Sequence, residues 1–174
     1  MLLGALFSAN RTTAFLLKRG FKMIRIMQQK DCPAVARLWR DYLDVSSATD
    51  ESVRKTFEKM SEDSRYCSYV AEENGNVVGF ITFVEVLSFD DPDGYIKMNG
   101  IAVTPEYRRL GIAEQLVEHA ERAARERGAN SIGAASSFKR TESQAMLDKL
   151  GYQKSAFWFH KTFFPPEETA QKND

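Results

Sequence analysis

The residues best suited to chemistry in this sequence stand in the segment EYRRLGIAEQL, which covers positions 106–116. Two arginines, Arg108 and Arg109, precede a lone glycine, Gly111, where an amphipathic helix is predicted to begin. A helix N-terminus presents free N–H groups and a partial positive charge, so it attracts anions, and a glycine lets a ligand approach the backbone. The segment therefore predicts a phosphate site. The alternative is that Gly111 only permits a tight turn and that the arginines are solvated.

Two familiar phosphate-binding loops do not fit this segment. No Gly-Lys-Ser or Gly-Lys-Thr follows Gly111, which excludes a P-loop, and the glycines of GxGxxG are absent, which excludes the dinucleotide-binding fingerprint. The phosphate compound must therefore be inferred from the surrounding elements.

Composition narrows the class of protein. The chain has 174 residues, 43% of them hydrophobic and 28% charged, which predicts one globular domain. Four of the 24 basic side chains lie in residues 1–22, which contain no acid, so the rest carries 20 basic and 24 acidic side chains and a net charge of −4. This mildly acidic body argues against non-specific nucleic-acid binding. No apolar run is long enough to span a membrane.

The histidines and cysteines carry no sign of a metal or disulfide framework. His119 and His160 are isolated, so we expect no metal site. Cys32 and Cys67 are far apart and form no CxxC pair, which indicates reduced thiols and a cytoplasmic location.

The N-terminal residues differ in composition from the rest of the chain. We expect residues 1–22 to be an extension, residues 23–164 to form one domain, and residues 165–174 to be a polar tail. The acid-free composition of the extension suits a mitochondrial targeting peptide. A mis-assigned start is nevertheless the leading interpretation, since Met23 opens a predicted strand; a targeting peptide is the second possibility and a genuine helix the third. The DNA upstream of the Met23 codon would decide between them.

Hydrophobic periodicity predicts an α/β fold with a mixed sheet. Helices are predicted to begin near Asp31, Asp50, Gly111 and Thr141, and strands are predicted over residues 23–28, 66–72, 77–86, 94–103, 130–136 and 152–163. Asn74-Gly75 is a strong hairpin signal. Residues 88–94, SFDDPDG, are predicted to be a polar loop. Gly100 inside a strand indicates a bulge or a close backbone approach.

Several of these elements together resemble the central motif of the GNAT superfamily of acetyl-CoA-dependent N-acetyltransferases. They are the strand YIKMNGIAV, the turn TPEY, the run RRLGIA and the helix after it. The family pattern is a strand ending in hydrophobic-x-Val, then Arg/Gln-x-x-Gly-x-Gly/Ala. The order of elements matches from Met23 to about Phe163, and AMLDKLGY resembles the family's later helix, which ends in Leu-Gly-Phe/Tyr. The resemblance implies a GNAT-like mixed, mostly antiparallel central sheet flanked by helices.

The resemblance also implies where acetyl-CoA binds. The coenzyme A pyrophosphate would be held by the backbone N–H groups of Arg109, Leu110, Gly111, Ile112 and Ala113. Arg108 occupies the leading Arg/Gln position of the motif. The edge of the motif strand would pair with the pantetheine arm through Ile101, Ala102 and Val103. A bulge at Asn99-Gly100 would leave a backbone N–H to polarise the acetyl carbonyl, as an oxyanion hole does.

The sequence departs from the family at the general acid. Many members carry a tyrosine four residues before the Leu-Gly-Phe glycine, where it protonates the leaving thiolate; here that position is Leu147. We expect Leu147 to line the acetyl end of the cleft. A thiol has a pKa near 8.5, so a thiolate could leave unaided or take a proton from water. Tyr152, Ser143 and Ser137 are the possible substitutes.

The general base that deprotonates the acceptor amine is also open. We select Glu85, because its strand is predicted to run toward the cleft. The other candidates on the central strands are Glu72, Glu73, Tyr95, Lys97 and Asn99. The acidic loop residues Asp90, Asp91 and Asp93 could attract a cationic amine, although ordinary turn chemistry explains them better.

The leading functional interpretation is an N-acetyltransferase that transfers acetyl from acetyl-CoA directly to a small-molecule amine and acts as a monomer or homodimer. The alternatives are acetylation of a protein lysine or N-terminus, and a non-catalytic acetyl-CoA-binding module, which Leu147 slightly favours. The resemblance assigns acceptor recognition to the variable regions, here residues 31–63 and 88–94, so the sequence does not name the acceptor.

Overall fold

A computed structural model describes residues 21–159, together with residues 161 and 163. Within them, five strands form one sheet in the order β1-β2-β3-β4-β5. The strands are Phe21–Ile26, Tyr66–Glu73, Asn76–Ser88, Asp91–Val103 and Ser131–Ala134. Neighbours are antiparallel except for β4 and β5, which are parallel. The predicted mixed, mostly antiparallel sheet is therefore confirmed.

Four α-helices flank this sheet in the described part of the chain: α1 Cys32–Leu43, α2 Asp50–Ser61, α3 Ile112–Glu126 and α4 Thr141–Lys149. Side chains alternate between the two faces of each strand. On β3, Phe80 therefore packs in one cluster with Leu38 of α1, while its neighbour Ile81 packs in the other with Leu116 of α3. Burial on both faces explains why the middle of β3 is a continuous buried run, apolar except for Thr82, rather than an alternating one.

The hairpin between β2 and β3 forms where the sequence predicts it. Asn74 and Gly75 both have positive φ, 49° and 82°, which is the requirement of the tight turn that Asn-Gly favours. The connection after β3 is shorter than predicted. The polar segment 88–94 is not a loop throughout, because Ser88 pairs with Asp91 and β4 already begins there.

β4 carries one extra residue relative to β3. Thr82 pairs with Gly100 and Phe83 pairs with Met98, so Asn99 has no partner on β3 and forms a bulge. On its other side β4 pairs with β5 only from Tyr95 to Met98. Beyond Met98 the two parallel strands separate, and this gap lies next to the bulge.

The two ends of the chain differ from the sequence prediction. β1 begins at Phe21, two residues before Met23, and residues 1–20 and 164–174 lie outside the described part. Residues 152–159 form no strand, and Phe157, Trp158 and Phe159 are exposed. The predicted sixth strand is therefore wrong for these residues. In the described part of the chain, no helix is both long and apolar enough to cross a membrane.

Candidate functional site

A cleft of about 1260 Å³ opens where β4 and β5 separate. One wall of the cleft comes from α1, and the opposite wall comes from residues 134–149. The second half of β4 and the start of α3 lie between these two walls. The cleft brings together most of the residues that the sequence assigned to the coenzyme. These are Ile101, Ala102, Val103, Arg108, Arg109, Gly111, Ile112, Ala113 and Leu147. Leu110 is the exception, since its side chain packs against the hydrophobic core.

The loop before α3 presents a cluster of free backbone donors. Arg109 and Gly111 have φ of 59° and 81°, and this left-handed backbone turns the chain into the helix. The first intrahelical bond of the turn runs from the Gln115 N–H to the Gly111 carbonyl, at 3.0 Å. The N–H groups of residues 109–114 have no hydrogen-bond partner in the described part of the chain. Adjacent free amides at a helix N-terminus suit a phosphate.

Arg108 closes this loop against two walls of the cleft. Its Nε donates to the Val103 carbonyl at 3.0 Å, and its guanidinium carbon lies 5.5 Å from the centre of the Tyr42 ring. An Nη1 atom is 3.7 Å from a carboxylate oxygen of Glu142 on α4. Arg108 therefore connects β4, α1 and α4 in addition to adding positive charge beside the free amides.

The edge of β4 that faces the gap has backbone groups that pair with no strand of the described residues. The Thr104 N–H donates to the Val78 carbonyl of β3 at 2.9 Å. In an antiparallel pair, residues alternately point their backbone groups toward the partner strand and away from it. Val103 and Ile101 therefore point theirs toward the gap, and Arg108 already uses the Val103 carbonyl. The remaining groups suit an extended, amide-containing ligand.

The bulge places Asn99 in the cleft. Its side chain is exposed and lines the gap between the strands, beside Gly100. The indole of Trp39 on α1 lies against Gly100, on the side where a Cβ would be. Trp39 also packs on Phe80, with ring centres 5.4 Å apart. An aromatic wall thus holds the bulge in place.

Comparison with known proteins gives the family of this chain. Residues 32–152, more than half of the sequence, match the model of the Acetyltransferase (GNAT) family. The chain belongs to the GNAT acetyltransferase family. It is similar to the uncharacterized N-acetyltransferase YhfO of Bacillus subtilis (strain 168), with 24% identity over 139 residues that cover 79% of this chain and 93% of the relative.

Solved structures of N-acetyltransferases share the fold. Aminoglycoside N-acetyltransferase AAC(6')-Iy in complex with CoA superposes with a TM-score of 0.70 at 20% identity, covering 82% of this chain and 95% of that one. Glucosamine-6-phosphate N-acetyltransferase from Arabidopsis thaliana gives 0.70 at 18% identity, covering 82% and 98%. At these identities the likeness shows the fold alone.

The donor set of this GNAT protein fits acetyl-CoA, the acetyl donor of the family. The free amides of residues 109–114 suit a pyrophosphate, and the unpaired edge at Ile101 and Val103 suits the amides of the pantetheine arm. In the part of the chain that the structure describes, no cluster of side chains is arranged to hold a metal ion.

The structure does not bring Glu85, the selected general base, to the cleft. Glu85 pairs with Ile96, on the far side of the bulge from Ile101, and its carboxylate lies 3.4 Å from Nη1 of Arg127. The assumption that its strand delivers it to the gap is therefore wrong, because the gap opens only beyond Met98.

Most other base candidates have structural explanations. Glu72 forms an ion pair with Arg25 at 2.7 Å, and Glu73 is buried away from the cleft. Tyr95 does not line the cleft, and the Lys97 ammonium lies 4.6 Å from the centre of the Trp158 ring. Asn99 is the one base candidate among the cleft-lining residues.

The acidic loop is held by local hydrogen bonds. Asn130 donates to Asp91 at 2.7 Å and to Asp93 at 3.5 Å, and Ser88 donates to Asp90. None of these aspartates lines the cleft. Their arrangement agrees with ordinary turn chemistry.

Leu147 lines the cleft from α4 and is half-buried. Because this position holds a leucine, no phenol is present where many family members have a tyrosine. Tyr152 does not replace it. Its hydroxyl donates to Glu121 on α3 at 3.2 Å, and burial, together with that carboxylate, raises the pKa of Tyr152 above its ordinary value. Ser143 lines the cleft, whereas Ser137 does not.

Sequence reasoning missed several cleft residues, among them Trp39, Tyr42 and Ser136. Trp39 and Tyr42 recur at helical spacing on α1, and such spacing does not distinguish a core side chain from one at a cleft wall. Ser136 carries no local signal. Its Oγ is buried and has no hydrogen-bond partner among the described residues.

Proposed function

We propose that this protein transfers the acetyl group of acetyl-CoA directly to the primary amine of a small molecule. The observation that supports this most strongly is the bulge at Asn99, because it lies beside both the free strand edge and the cleft. A thioester placed along that edge has its carbonyl carbon exposed to an attacking amine.

In this proposal the free amides of residues 109–114 bind the pyrophosphate, and the open edge at Ile101 and Val103 orients the pantetheine arm. When bound, acetyl-CoA supplies an acetyl group activated as a thioester. A backbone N–H of the Asn99-Gly100 bulge donates to the carbonyl oxygen and stabilises the negative charge that develops there. Oxyanion donors of this kind are worth about 3–4 kcal/mol of activation free energy.

Asn99 orients the amine rather than deprotonating it. Its neutral amide has no basic lone pair that could take a proton at neutral pH, but its Oδ1 can accept a hydrogen bond from an attacking N–H. The amine therefore reacts in its neutral form after losing a proton to water. The thiolate leaves without a side-chain acid at position 147, which its modest basicity allows. The nitrogen that has attacked loses its second proton to water, and the thiolate takes up one proton from water to give the free thiol.

The electrostatics of the cleft favour a small molecule over a protein lysine. A groove that binds lysine-containing peptides is expected to be acidic, but five basic and two acidic residues line this cleft. They are Arg108, Arg109, Lys139, Arg140 and Lys149, against Glu114 and Glu142.

We also propose a cytoplasmic location, with the protein acting as a monomer or homodimer. Cys32 and Cys67 are both free thiols, and Cys32 is buried. Free thiols are the usual state in a reducing compartment.

The test is a panel of primary amines and lysine peptides incubated with acetyl-CoA, with release of free coenzyme A thiol and the mass of the acetylated product as the readouts. We expect stoichiometric thiol and N-acetyl product with small amines and little with peptides. Tight acetyl-CoA binding by calorimetry without turnover on any amine would instead show a non-catalytic binding module.

A further inference from the structure

The charged residues of the cleft are not all paired. Glu114 forms an ion pair with Lys149 at 2.6 Å, and Glu142 lies 3.7 Å from Arg108. These are the two acidic residues among those that line the cleft, and each already faces a cation.

Three cations of the cleft form no ion pair in the described part of the chain: Arg109, Lys139 and Arg140. Arg109 belongs to the loop of free amides and so to the proposed pyrophosphate site. Lys139 and Arg140 come from the segment between β5 and α4, on the opposite wall. They leave an excess of positive charge that the proposed coenzyme contacts do not use.

Arg140 is held across the cleft by one hydrogen bond. An Nη2 N–H donates to the carbonyl of Leu43, the last residue of α1. Leu43 follows Trp39 by four residues, about 6 Å along the helix, and Trp39 lies against Gly100 at the bulge. The guanidinium is therefore placed on the α1 side of the cleft, about one helical turn from the wall that holds the bulge.

The rest of the Arg140 guanidinium has no hydrogen-bond partner in the described part of the chain. A guanidinium carries five N–H donors in a planar fork that matches a carboxylate or a phosphate. These unused donors favour an anionic ligand.

From this arrangement we propose that the acceptor carries an anionic group, a carboxylate or a phosphate, in addition to its amine, and that Arg140 binds this group. The inference rests on the proposed N-acetyltransferase function. It excludes polycationic acceptors, because Lys139 and Arg140 repel them. The proposed acceptor therefore differs from the acceptor class in the name of the structural neighbour AAC(6')-Iy, because aminoglycosides carry several ammonium groups.

The experiment compares matched acceptors that differ in the anionic group alone. Phenylalanine and phenylalaninamide test the carboxylate, glucosamine 6-phosphate and glucosamine test the phosphate, and kanamycin is the polycation. The value of kcat/KM is expressed per concentration of unprotonated amine, because the amide and the acid differ in amine pKa. We expect the anionic member of at least one pair to be preferred roughly 10- to 100-fold, the usual range for charge-assisted hydrogen bonds.

Variants of Arg140 connect the preference to this residue. Arg140→Gln should bring the ratio within a pair close to one, and Arg140→Lys should retain part of it, since it keeps the charge without the fork. Arg122→Gln is the matched control, because Arg122 is exposed on α3 and does not line the cleft. This control should keep the wild-type ratio. Melting temperatures confirm that each variant is folded.

The contrary outcomes separate the two proposals. Acetylation of neutral amines or kanamycin as fast as of anionic amines overturns the anion site while the transferase function stands. A loss of coenzyme affinity in Arg140→Gln with an unchanged ratio assigns Arg140 to the coenzyme and also overturns it. Absence of acetylation in every pair overturns the proposed function. Calorimetry of N-acetylphenylalanine against N-acetylphenylalaninamide, with coenzyme A present, then decides the anion site by itself, and equal or absent binding overturns it.

Discussion

Gly100 of β4 lies directly against the indole ring of Trp39 of α1. A Cβ added to Gly100 would lie 2.4 Å from both Cη2 and Cζ2 of that ring, closer than side chains approach one another. Position 100 is therefore a glycine because of its neighbour, and not because of its backbone, since its φ is not positive.

Gly100→Ala should displace the indole and disturb the bulge. We expect a loss of about 1–3 kcal/mol in the free energy of unfolding, typical of overpacking, and at least a tenfold lower kcat/KM. The matched control is Gly133→Ala on the adjacent strand β5, where an added Cβ meets nothing within 4 Å. Thermal melts and initial rates measure both variants. Equal effects of the two changes would show that the Trp39 contact is unimportant.

Gly111→Glu should weaken acetyl-CoA binding. The carboxylate would stand beside the free amides of residues 109–114, where it repels a phosphate. Gly128→Glu is the control, because Gly128 has a similar positive φ, 75° against 81°, and so a similar backbone strain. Calorimetry should show at least a tenfold higher Kd for the Gly111 variant and little change for the Gly128 variant. An unchanged Kd in a folded Gly111→Glu protein would remove the phosphate site.

Gly100 and Gly111 also show how much of this structure the sequence alone can predict. The positive φ of Gly111 and of the Asn74-Gly75 turn is a local property of the chain. The sequence predicted the hairpin at Asn74-Gly75, and it offered a ligand approach or a tight turn at Gly111. The bulge at Asn99 was likewise indicated by Gly100. The contact between Gly100 and Trp39 joins α1 to β4, and no sequence pattern near either residue indicates it.

Long-range pairing also explains two errors. Glu85 was selected because strand direction alone was considered, but only the register of β3 against β4 shows that it stays on the far side of the bulge. The aromatic residues of segment 152–159 favour a strand by propensity. Strand propensity largely reflects packing against a partner, and no strand of the described residues pairs with this segment.

Leu147→Tyr tests the missing acid. If protonation of the thiolate limits the rate, a phenol at this position of the cleft should raise kcat. General acids contribute about 10²–10⁴-fold, and a transplanted group should recover only part of this. The measurement is kcat against pH with one good amine, with Leu147→Phe as the control for ring size. A rise in the tyrosine variant alone, with a new alkaline limb, supports the missing acid. Equal kcat in both variants contradicts it.

Glu85→Gln should leave kcat within about twofold of the wild type, because Glu85 is paired with Arg127 away from the cleft. The free energy of unfolding should fall by less than about 1 kcal/mol, as for other ion pairs that remain partly exposed. Steady-state kinetics and a denaturant melt measure these quantities. A tenfold or larger loss of kcat with normal stability would restore Glu85 as a catalytic base.

Asp31 makes folding stability depend on acid pH. Burial opposes ionisation of this carboxyl, but hydrogen bonds from Arg25 and the Gln28 N–H outweigh it, so the pKa of Asp31 lies below its ordinary value. A lowered folded-state pKa gives stability that is present above the unfolded pKa, about 3.9, and is lost as the pH falls through the folded value.

Asp31→Asn should therefore cost about 1–3 kcal/mol at pH 7, as expected when a hydrogen-bonded partner of a partly buried ion pair is removed. The difference in the free energy of unfolding between wild type and variant should become smaller as the pH falls below about 4. Denaturant melts between pH 3 and pH 7 measure it. Asp41→Asn, at an exposed position of α1, is the control. A difference in the free energy of unfolding that stays constant with pH would show that Asp31 acts by packing rather than by charge.

The early separation of β5 from β4 has a consequence for how long the protein survives. Ile101 and Val103 lie beyond the last β4–β5 pair, so among the described residues the second half of β4 has a strand neighbour on one side only. A ligand that hydrogen-bonds to this edge completes the sheet and binds the folded chain alone. By mass action it adds about 2.7 kcal/mol of stability at a concentration 100 times its Kd. Resistance to proteases, and so the turnover of this protein, should then follow the coenzyme concentration around it.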